Sequence, residues 1–193
     1  MKKKSLFPKR IKPIKQLCIV LVLMLLVGAA GCGLLPNDSV SPEQDIVILY
    51  TNDVHCAVDT GIGYAGLVSL EQEYQAAGAE VLLVDCGDAI QGEPIGTISR
   101  GAYIIDIMNE IGIDAAAIGN HEFDYGAERF LELAQHAQFP YVSSNFRYIE
   151  TGETVFAPYT ILEAGGVNIA FVGISTPETL TASAPNIFPG WRR

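Results

Sequence analysis

Residues 119–124 (GNHEFD) directly follow residues 114–118 (DAAAI), a short apolar run that predicts a buried β-strand. Two earlier apolar runs end in a similar way. Residues 45–51 (DIVILYT) are followed by residues 52–55 (NDVH), and residues 80–84 (EVLLV) are followed by residues 85–88 (DCGD). Three predicted strands therefore each end in carboxylate, imidazole or amide side chains.

Helices are predicted between these strands, and the alternation decides the fold class. Residues 64–77, 104–111 and 127–138 have apolar side chains at helical spacing, and residues 141–144 predict a fourth strand. Residues 159–163 and 167–174 alternate and are joined by Gly165-Gly166, which predicts a hairpin. This order predicts an α/β fold with a largely parallel sheet, in which ligands bind at the carboxyl ends of the strands.

The polar residues after the first three strands form a set of oxygen and nitrogen donors that suits divalent metals. Taken singly, each has a simpler reading. An Asp after a strand often caps the next helix, His121 could be a capping residue, and Asp124 could cap the helix that starts near residue 127. Taken together and in this order, they predict a metal site. The candidate residues at this edge, ligands and their neighbours together, are Asp53, His55, Asp88, Asn120, His121 and Asp124.

These motifs resemble the metallophosphoesterase (calcineurin-like phosphoesterase) superfamily, and N-D-V-H, G-D and G-N-H-E-F-D resemble its bacterial 5'-nucleotidase and UDP-sugar hydrolase branch. The resemblance runs from about Ile46 to about Thr176. It implies a partial αββα sandwich, mainly the first half of the mixed sheet with its helices. It also implies two divalent ions, such as Zn²⁺, Mn²⁺ or Co²⁺, and roles for six residues: Asp53 and His55 bind one ion, Asp88 bridges both, Asn120 binds the second, and His121 with Asp124 forms a catalytic dyad.

The activity implied is hydrolysis of nucleotide phosphate esters. A 2',3'-cyclic nucleotide phosphodiesterase and a nucleotide-sugar pyrophosphatase on the same core are the enzymatic alternatives, and a non-catalytic lipoprotein is the other. The chain has three His residues, and the later G-H-x-H-like segment of the family is not found. Residues 45–193 are therefore expected to be the N-terminal portion of a longer enzyme, with little activity alone, and no element is predicted over residues 183–193.

The first 32 residues read as an export signal rather than as part of the fold. Seven basic residues precede an apolar run over residues 17–35, which contains Ala29-Ala30-Gly31-Cys32. This segment resembles a lipobox and implies lipidation of Cys32, whereas an uncleaved transmembrane helix is the alternative. Residues 33–44 read as a flexible tether. We expect an exported protein, anchored by lipid on the extracytoplasmic face of the cell membrane.

The charge of the exported part limits its partners. From Cys32 onward the chain carries all 22 acidic residues against five Arg residues and no Lys. Such a body repels nucleic-acid duplexes, which argues against a duplex-binding function. A nucleotide or another small phosphate ester is still an acceptable substrate if cations in the site offset the repulsion.

Two cysteines flank the predicted site, because Cys56 follows His55 and Cys86 lies two residues before Asp88. A disulfide is compatible with an exported protein. Two buried thiols that pack as small apolar groups are slightly favoured, and thiolate ligation of the metals is the third option.

Overall fold

The protein is described by a computed structural model over residues 44–179 and 191–192. Its central sheet contains four parallel strands in the order β1-β2-β3-β4: β1 (Ile46–Thr51), β2 (Glu80–Asp85), β3 (Ala115–Ala117) and β4 (Tyr141–Val142). The α/β class and the parallel sheet predicted from the sequence are confirmed.

The export signal, Cys32 and nearly all of the tether lie outside the described residues. Within the described part of the chain, no helix is both long and apolar enough to cross a bilayer.

The register of the strands brings their carboxyl ends to one edge of the sheet. Thr51 at the end of β1 lies opposite Asp85 at the end of β2, and Asp85 in turn lies opposite Ala116 of β3. Because parallel neighbours end at the same side, the loops after β1, β2 and β3 meet there. This edge carries the candidate site.

Four helices connect the strands: α1 (Gly63–Ala76), α2 (Pro94–Ser99), α3 (Ala102–Ile111) and α4 (Ala127–His136). The first, third and fourth were predicted within a few residues. Helix α2 was not, because six residues are too few to show a helical period. Pro94, in the first turn, is the sequence signal for the start of this helix. The helix ends at Arg100, whose backbone lies in the left-handed region at φ 48°.

Aromatic rings form the centre of the core beside α4. Phe130 is fully buried, and its ring packs edge-on against Phe123 and Tyr141 at centroid distances of 5.1 and 4.9 Å. Helical spacing also predicts inward positions for Tyr74 on α1 and Leu131 on α4, and both predictions are wrong. Tyr74 is 40% exposed, since α1 has turned it toward solvent by its last turns, and Leu131 is only half-buried while Leu133 takes the inward position.

The predicted hairpin is present as β6 (Tyr159–Ala164) and β7 (Val167–Val172), which pair antiparallel. Both turn residues, Gly165 and Gly166, have positive φ, at 56° and 73°. A turn with two positive φ values is the type that matches the strand twist, and glycine adopts it without steric cost. A second antiparallel pair joins β5 (Arg147–Tyr148) to β8 (Trp191–Arg192), where the sequence had predicted no element.

Candidate metal centre

The loops after β1 and β2 remain hydrogen-bonded to each other beyond the ends of the strands. The backbone N–H groups of Asp53, His55 and Cys56 donate to the carbonyl oxygens of Gly87, Asp88 and Ala89 at 2.9–3.0 Å. This ladder fixes the position of one loop against the other. The side chains of Asp53, His55 and Asp88 are therefore held by paired backbone rather than by free loops.

Four non-glycine residues in these loops have left-handed backbone conformations. Asp53, His55, Cys56 and Asp88 have φ values of 62°, 48°, 63° and 60°. Such conformations are uncommon for residues with a Cβ atom, and they occur mainly where the surrounding structure holds the backbone and function requires it. Here the ladder between the loops holds them, and the turns direct both loops back over the edge of the sheet.

Three side chains of this edge converge. One potential ligand atom from each of Asp53, His55 and Asp88 lies within 4.8 Å of the other two. Two carboxylates and one imidazole are a donor set that divalent cations bind, and mutual distances of this size leave room for an ion between them. The residues present therefore fit a divalent metal ion.

The ring of His55 is oriented to bind a metal ion through Nε2. Its Nδ1 lies 2.9 Å from the carbonyl oxygen of Gln91, which can only accept, so Nδ1 carries the hydrogen. Its Nε2 lies 3.1 Å from Oδ1 of Asp53 and is the nitrogen that faces the carboxylates. Burial lowers the pKa of His55, but the Gln91 carbonyl and the charges of Asp53 and Asp88 outweigh it and raise the pKa overall. A bound cation would replace the proton that Nε2 carries in the charged form of the ring.

His121 and Asp124 form the pair that the motif predicts. Nδ1 of His121 lies 2.7 Å from Oδ2 of Asp124, and both side chains are partly buried. The His121 ring packs edge-on against the His55 ring at a centroid distance of 4.9 Å, so the pair lies beside the three clustered ligands. The capping alternative for Asp124 is wrong, because the N-cap of α4 is Gly126.

Asn120 lies on the same loop, immediately before the short 3₁₀ helix His121–Phe123. It is half-buried, with φ −86° and ψ −30°. The loop after β3 thus carries Asn120 and His121 to the edge where Asp53, His55 and Asp88 converge.

Two glycines let the loops after β2 and β3 approach each other. A Cβ atom on Gly119 would lie 2.6 Å from Cγ of Asp88 and 2.7 Å from its backbone nitrogen, and one on Gly87 would lie 2.8 Å from Cα of Gly119. Gly87 also has φ 101°. The missing side chain of Gly119 makes space for Asp88, and that of Gly87 makes space for the backbone of Gly119.

Two buried carboxylates support the site and were given no role by the sequence. Glu122 is fully buried, as is Asp85, whose Oδ2 accepts from the backbone of Gly87 at 2.9 Å. Burial raises the pKa of Glu122 to about 8 and that of Asp85 to about 6, and the charge of Asp88 adds to both shifts. The only sequence signal was that Glu122 stands inside the GNHEFD motif.

The cysteines differ from the favoured interpretation. Both are free thiols, so the disulfide is not formed, and Cys56 is buried as expected whereas Cys86 is exposed. Cys86 follows the last residue of β2, and it is exposed although Leu82 and Val84, at alternate positions within the strand, are buried. Burial and the nearby Glu122 and Glu93 carboxylates raise the pKa of Cys56 to about 11, which disfavours a thiolate ligand.

Comparison with known proteins agrees with this geometry. The family profile described as "Calcineurin-like phosphoesterase" matches residues 46–186. Snake venom 5'-nucleotidase from Gloydius brevicauda is 35% identical over 88% of this chain and 32% of its own length, and the Vibrio cholerae 5'-nucleotidase is 31% identical over 89% and 33%. The crystal structure of a 5'-nucleotidase precursor from Thermus thermophilus superposes with a TM-score of 0.66 at 30% identity, covering 75% of this chain and 31% of that one.

The chain thus spans about a third of the length of these relatives. The matched region contains every residue of the candidate site, from Asp53 to Asp124, and the partial fold agrees with the N-terminal part of the solved relative. The chain belongs to the calcineurin-like phosphoesterase family.

Proposed function

We propose that this chain carries the first half of a two-metal active site that hydrolyses phosphate esters of nucleotides, as in a 5'-nucleotidase. The observation that carries this proposal is the convergence of Asp53, His55 and Asp88 within 4.8 Å. The similarity to 5'-nucleotidases from a snake and from Vibrio cholerae supports the nucleotide as substrate.

In this proposal Asp53, His55 and Asp88 would hold one divalent ion, and Asp88 and Asn120 would hold a second. Divalent ions in such a site lower the pKa of a bound water and offset the negative charge of a phosphoryl group. The second effect matters here, since the three clustered side chains include two carboxylates that would otherwise repel a phosphate ester.

His121 acts on the substrate directly. Its Nδ1 donates to Asp124, which fixes the tautomer and leaves Nε2 as the nitrogen that can hydrogen-bond a phosphoryl or leaving oxygen. Charge builds on these oxygens as the ester bond breaks, so a donor held in place stabilises the transition state. Asp124 therefore positions His121 and does not bind metal.

Calorimetric titration with Mn²⁺ tests the metal site. We expect the wild-type chain to bind Mn²⁺, and Asp88→Ala to weaken binding by more than about tenfold, since even residues that only support a metal ligand contribute 10- to 100-fold. Asp106→Ala, a change of the same type on the exposed face of α3, is the matched control. Equal Mn²⁺ affinity in the wild type and Asp88→Ala would contradict the proposal.

The substrate class needs a separate measurement, because the metal core is shared by several reactions. Phosphate release from nucleoside 5'-monophosphates, compared with cleavage of 2',3'-cyclic nucleotides and of nucleotide sugars, distinguishes the three activities that this core supports. We expect the 5'-monophosphates to be preferred. Preference for either of the other substrates would assign the chain to that activity instead.

We also propose that residues 1–32 direct export and that Cys32 is lipidated, so that residues 45–193 are held at the extracytoplasmic face of the membrane. The support is the sequence pattern of seven basic residues, an apolar run and Ala29-Ala30-Gly31-Cys32. Metabolic labelling with palmitate should mark the wild type and not Cys32→Ser. Equal labelling of both forms would exclude lipidation at Cys32.

A further inference from the structure

Glu122 has a contact pattern that core packing does not require. Its carboxylate accepts three backbone hydrogen bonds from two different loops: Oε2 accepts from Asp88 at 2.9 Å and from Gly119 at 2.7 Å, and Oε1 accepts from Ala89 at 2.9 Å. The side chain is fully buried. A fully buried carboxyl group is unusual, and these three N–H donors satisfy both of its oxygen atoms.

The three donors are placed where the candidate ligands need support. The N–H groups of Asp88 and Ala89 belong to the loop after β2, which carries the central carboxylate of the cluster. The N–H of Gly119 belongs to the loop after β3, which carries Asn120 and His121. One carboxylate therefore ties together the two loops that hold the two halves of the proposed site.

The hydrogen bonds to Glu122 support an unfavourable backbone conformation at Asp88. Asp88 has φ 60°, a left-handed value that a residue with a Cβ atom adopts only when its surroundings hold it. On one side its carbonyl accepts from His55, on the other its N–H donates to Glu122, and its Oδ1 accepts from the N–H of His121. If the Glu122 contacts are removed, the peptides on both sides of Asp88 lose this support, and we expect the Asp88 carboxylate to move away from Asp53 and His55.

We infer that Glu122 is a positioning residue, whose buried carboxyl group fixes the peptides before and after Asp88 and the peptide before Gly119, and thereby aims the Asp88 side chain at the metal site. This role rests on the proposed function, because it concerns the metal affinity of that site. Glu122 itself contacts neither metal nor substrate.

The Glu122→Gln variant separates this role from simple packing. Gln has the same shape and retains one oxygen, which can serve the two donors at the Oε2 position, but its NH₂ group then faces the N–H of Ala89 and that hydrogen bond is lost. The matched control is Glu132→Gln on α4, where the carboxylate is exposed and pairs with Arg129 at 2.9 Å.

Two readouts are measured on the full chain. Amide hydrogen exchange, measured by NMR, reports the hydrogen bonds to Glu122 directly. The N–H groups of Asp88, Ala89 and Gly119 should exchange slowly in the wild type. The N–H of Ala89 should exchange faster in Glu122→Gln. Titration with Mn²⁺ reports the consequence. At a temperature where the far-UV circular dichroism of all forms is native, we expect Glu122→Gln to bind Mn²⁺ about tenfold more weakly and Glu132→Gln to match the wild type.

The outcomes separate the two proposals. Wild-type Mn²⁺ affinity in a folded Glu122→Gln protein would reduce Glu122 to a packing residue and overturn the inference while leaving the metal site intact. If the variant does not fold, fast exchange of the three amides in the wild type overturns the inference and slow exchange supports the tie. Absence of Mn²⁺ binding by the wild type itself would refute the proposed function, and the positioning role with it.

Discussion

The backbone N–H of His121 donates a 2.7 Å hydrogen bond to Oδ1 of Asp88, so a candidate metal ligand and a candidate catalytic residue are joined directly. The bond crosses from the loop after β2 to the loop after β3. A carboxylate that accepts from a backbone N–H is held in one orientation by a strong, charge-assisted contact. The position of Asp88 and that of His121 are therefore coupled, and a change in one loop should be felt in the other.

Replacing Gly119 by Ala tests this coupling. The new Cβ atom would lie 2.6 Å from Cγ of Asp88 and 2.7 Å from its backbone nitrogen, so the two loops must separate. We expect a loss of about 1–3 kcal/mol in the free energy of unfolding, measured with urea, and Mn²⁺ binding about tenfold weaker by calorimetry.

The control for Gly119→Ala is Gly112→Ala at the end of α3. Gly112 has φ 79°, and no heavy atom lies within 4 Å of the place that an added Cβ would take, so the change should cost about 1 kcal/mol through backbone strain alone. Its Mn²⁺ affinity should stay at the wild-type value. If both variants bind Mn²⁺ equally well, the close approach of Gly119 to Asp88 has no bearing on the metal site.

The chain contains a second His–Asp pair that serves as a reference for the first. Nε2 of His136 lies 2.7 Å from Oδ1 of Asp106, the same distance as between His121 and Asp124, but both of its side chains are more than half exposed. His136 lies on the exposed face of α4. Because the two His–Asp pairs have the same nitrogen–oxygen distance but differ in burial and location, the exposed pair is a control for the pair at the candidate site.

Residues 45–193 are expected to have little activity alone, and Asp124→Asn should slow that phosphate-ester hydrolysis by at least about tenfold further, because His121 loses the carboxylate that fixes its tautomer. Mn²⁺ affinity should not change, since Asp124 is proposed to position His121 and not to bind metal. Asp106→Asn should alter neither quantity and should cost less than about 1 kcal/mol of stability, as exposed pairs do. Loss of Mn²⁺ from Asp124→Asn would make the pair part of the metal site.

Apolar runs and the polar residues after them were sufficient to predict much of the fold and the site. The strands over β1, β2 and β3 are apolar and short, and the donors come at their ends, so the position of Asp53, Asp88 and His121 follows from parallel pairing alone.

The features that were missed depend on contacts between segments distant in sequence. Helix α2 has only six residues, and no local pattern shows that Glu122 and Asp85 would be fully buried, because charged residues are normally at the surface. Their burial is compensated by hydrogen bonds: Glu122 accepts from the backbone of Asp88, Ala89 and Gly119, and Asp85 accepts from the backbone of Gly87 and the hydroxyl of Thr51. The exposure of Cys86 likewise depends on what covers the chain just beyond the end of β2, which the sequence pattern does not reveal, since Leu82 and Val84 at alternate positions within the strand are buried.

Phe130→Ala should remove one of the largest fully buried side chains of the core. The ring is fully buried and packs against Phe123, Tyr141 and Phe156, with centroid distances of 4.9–5.6 Å. We expect a loss of about 3–5 kcal/mol in the free energy of unfolding from urea denaturation. Tyr103→Ala on α3, an aromatic residue that is 54% exposed, should stay within about 0.5 kcal/mol of the wild type. Similar losses for both variants would contradict the assigned core.

Alkylation with iodoacetamide should distinguish the two cysteines of the site. Cys86 is exposed and should react in the native protein, whereas Cys56 is buried, and with a pKa of about 11 only about 0.1% of it is thiolate at pH 8. Tandem mass spectrometry of chymotryptic peptides reads each position separately, and both should label equally after unfolding in urea. Equal labelling of the native protein would contradict the burial of Cys56.

Since neither thiol belongs to the cluster of Asp53, His55 and Asp88, addition of Mn²⁺ should leave the labelling of Cys86 unchanged, and protection by Mn²⁺ would instead identify Cys86 as a ligand.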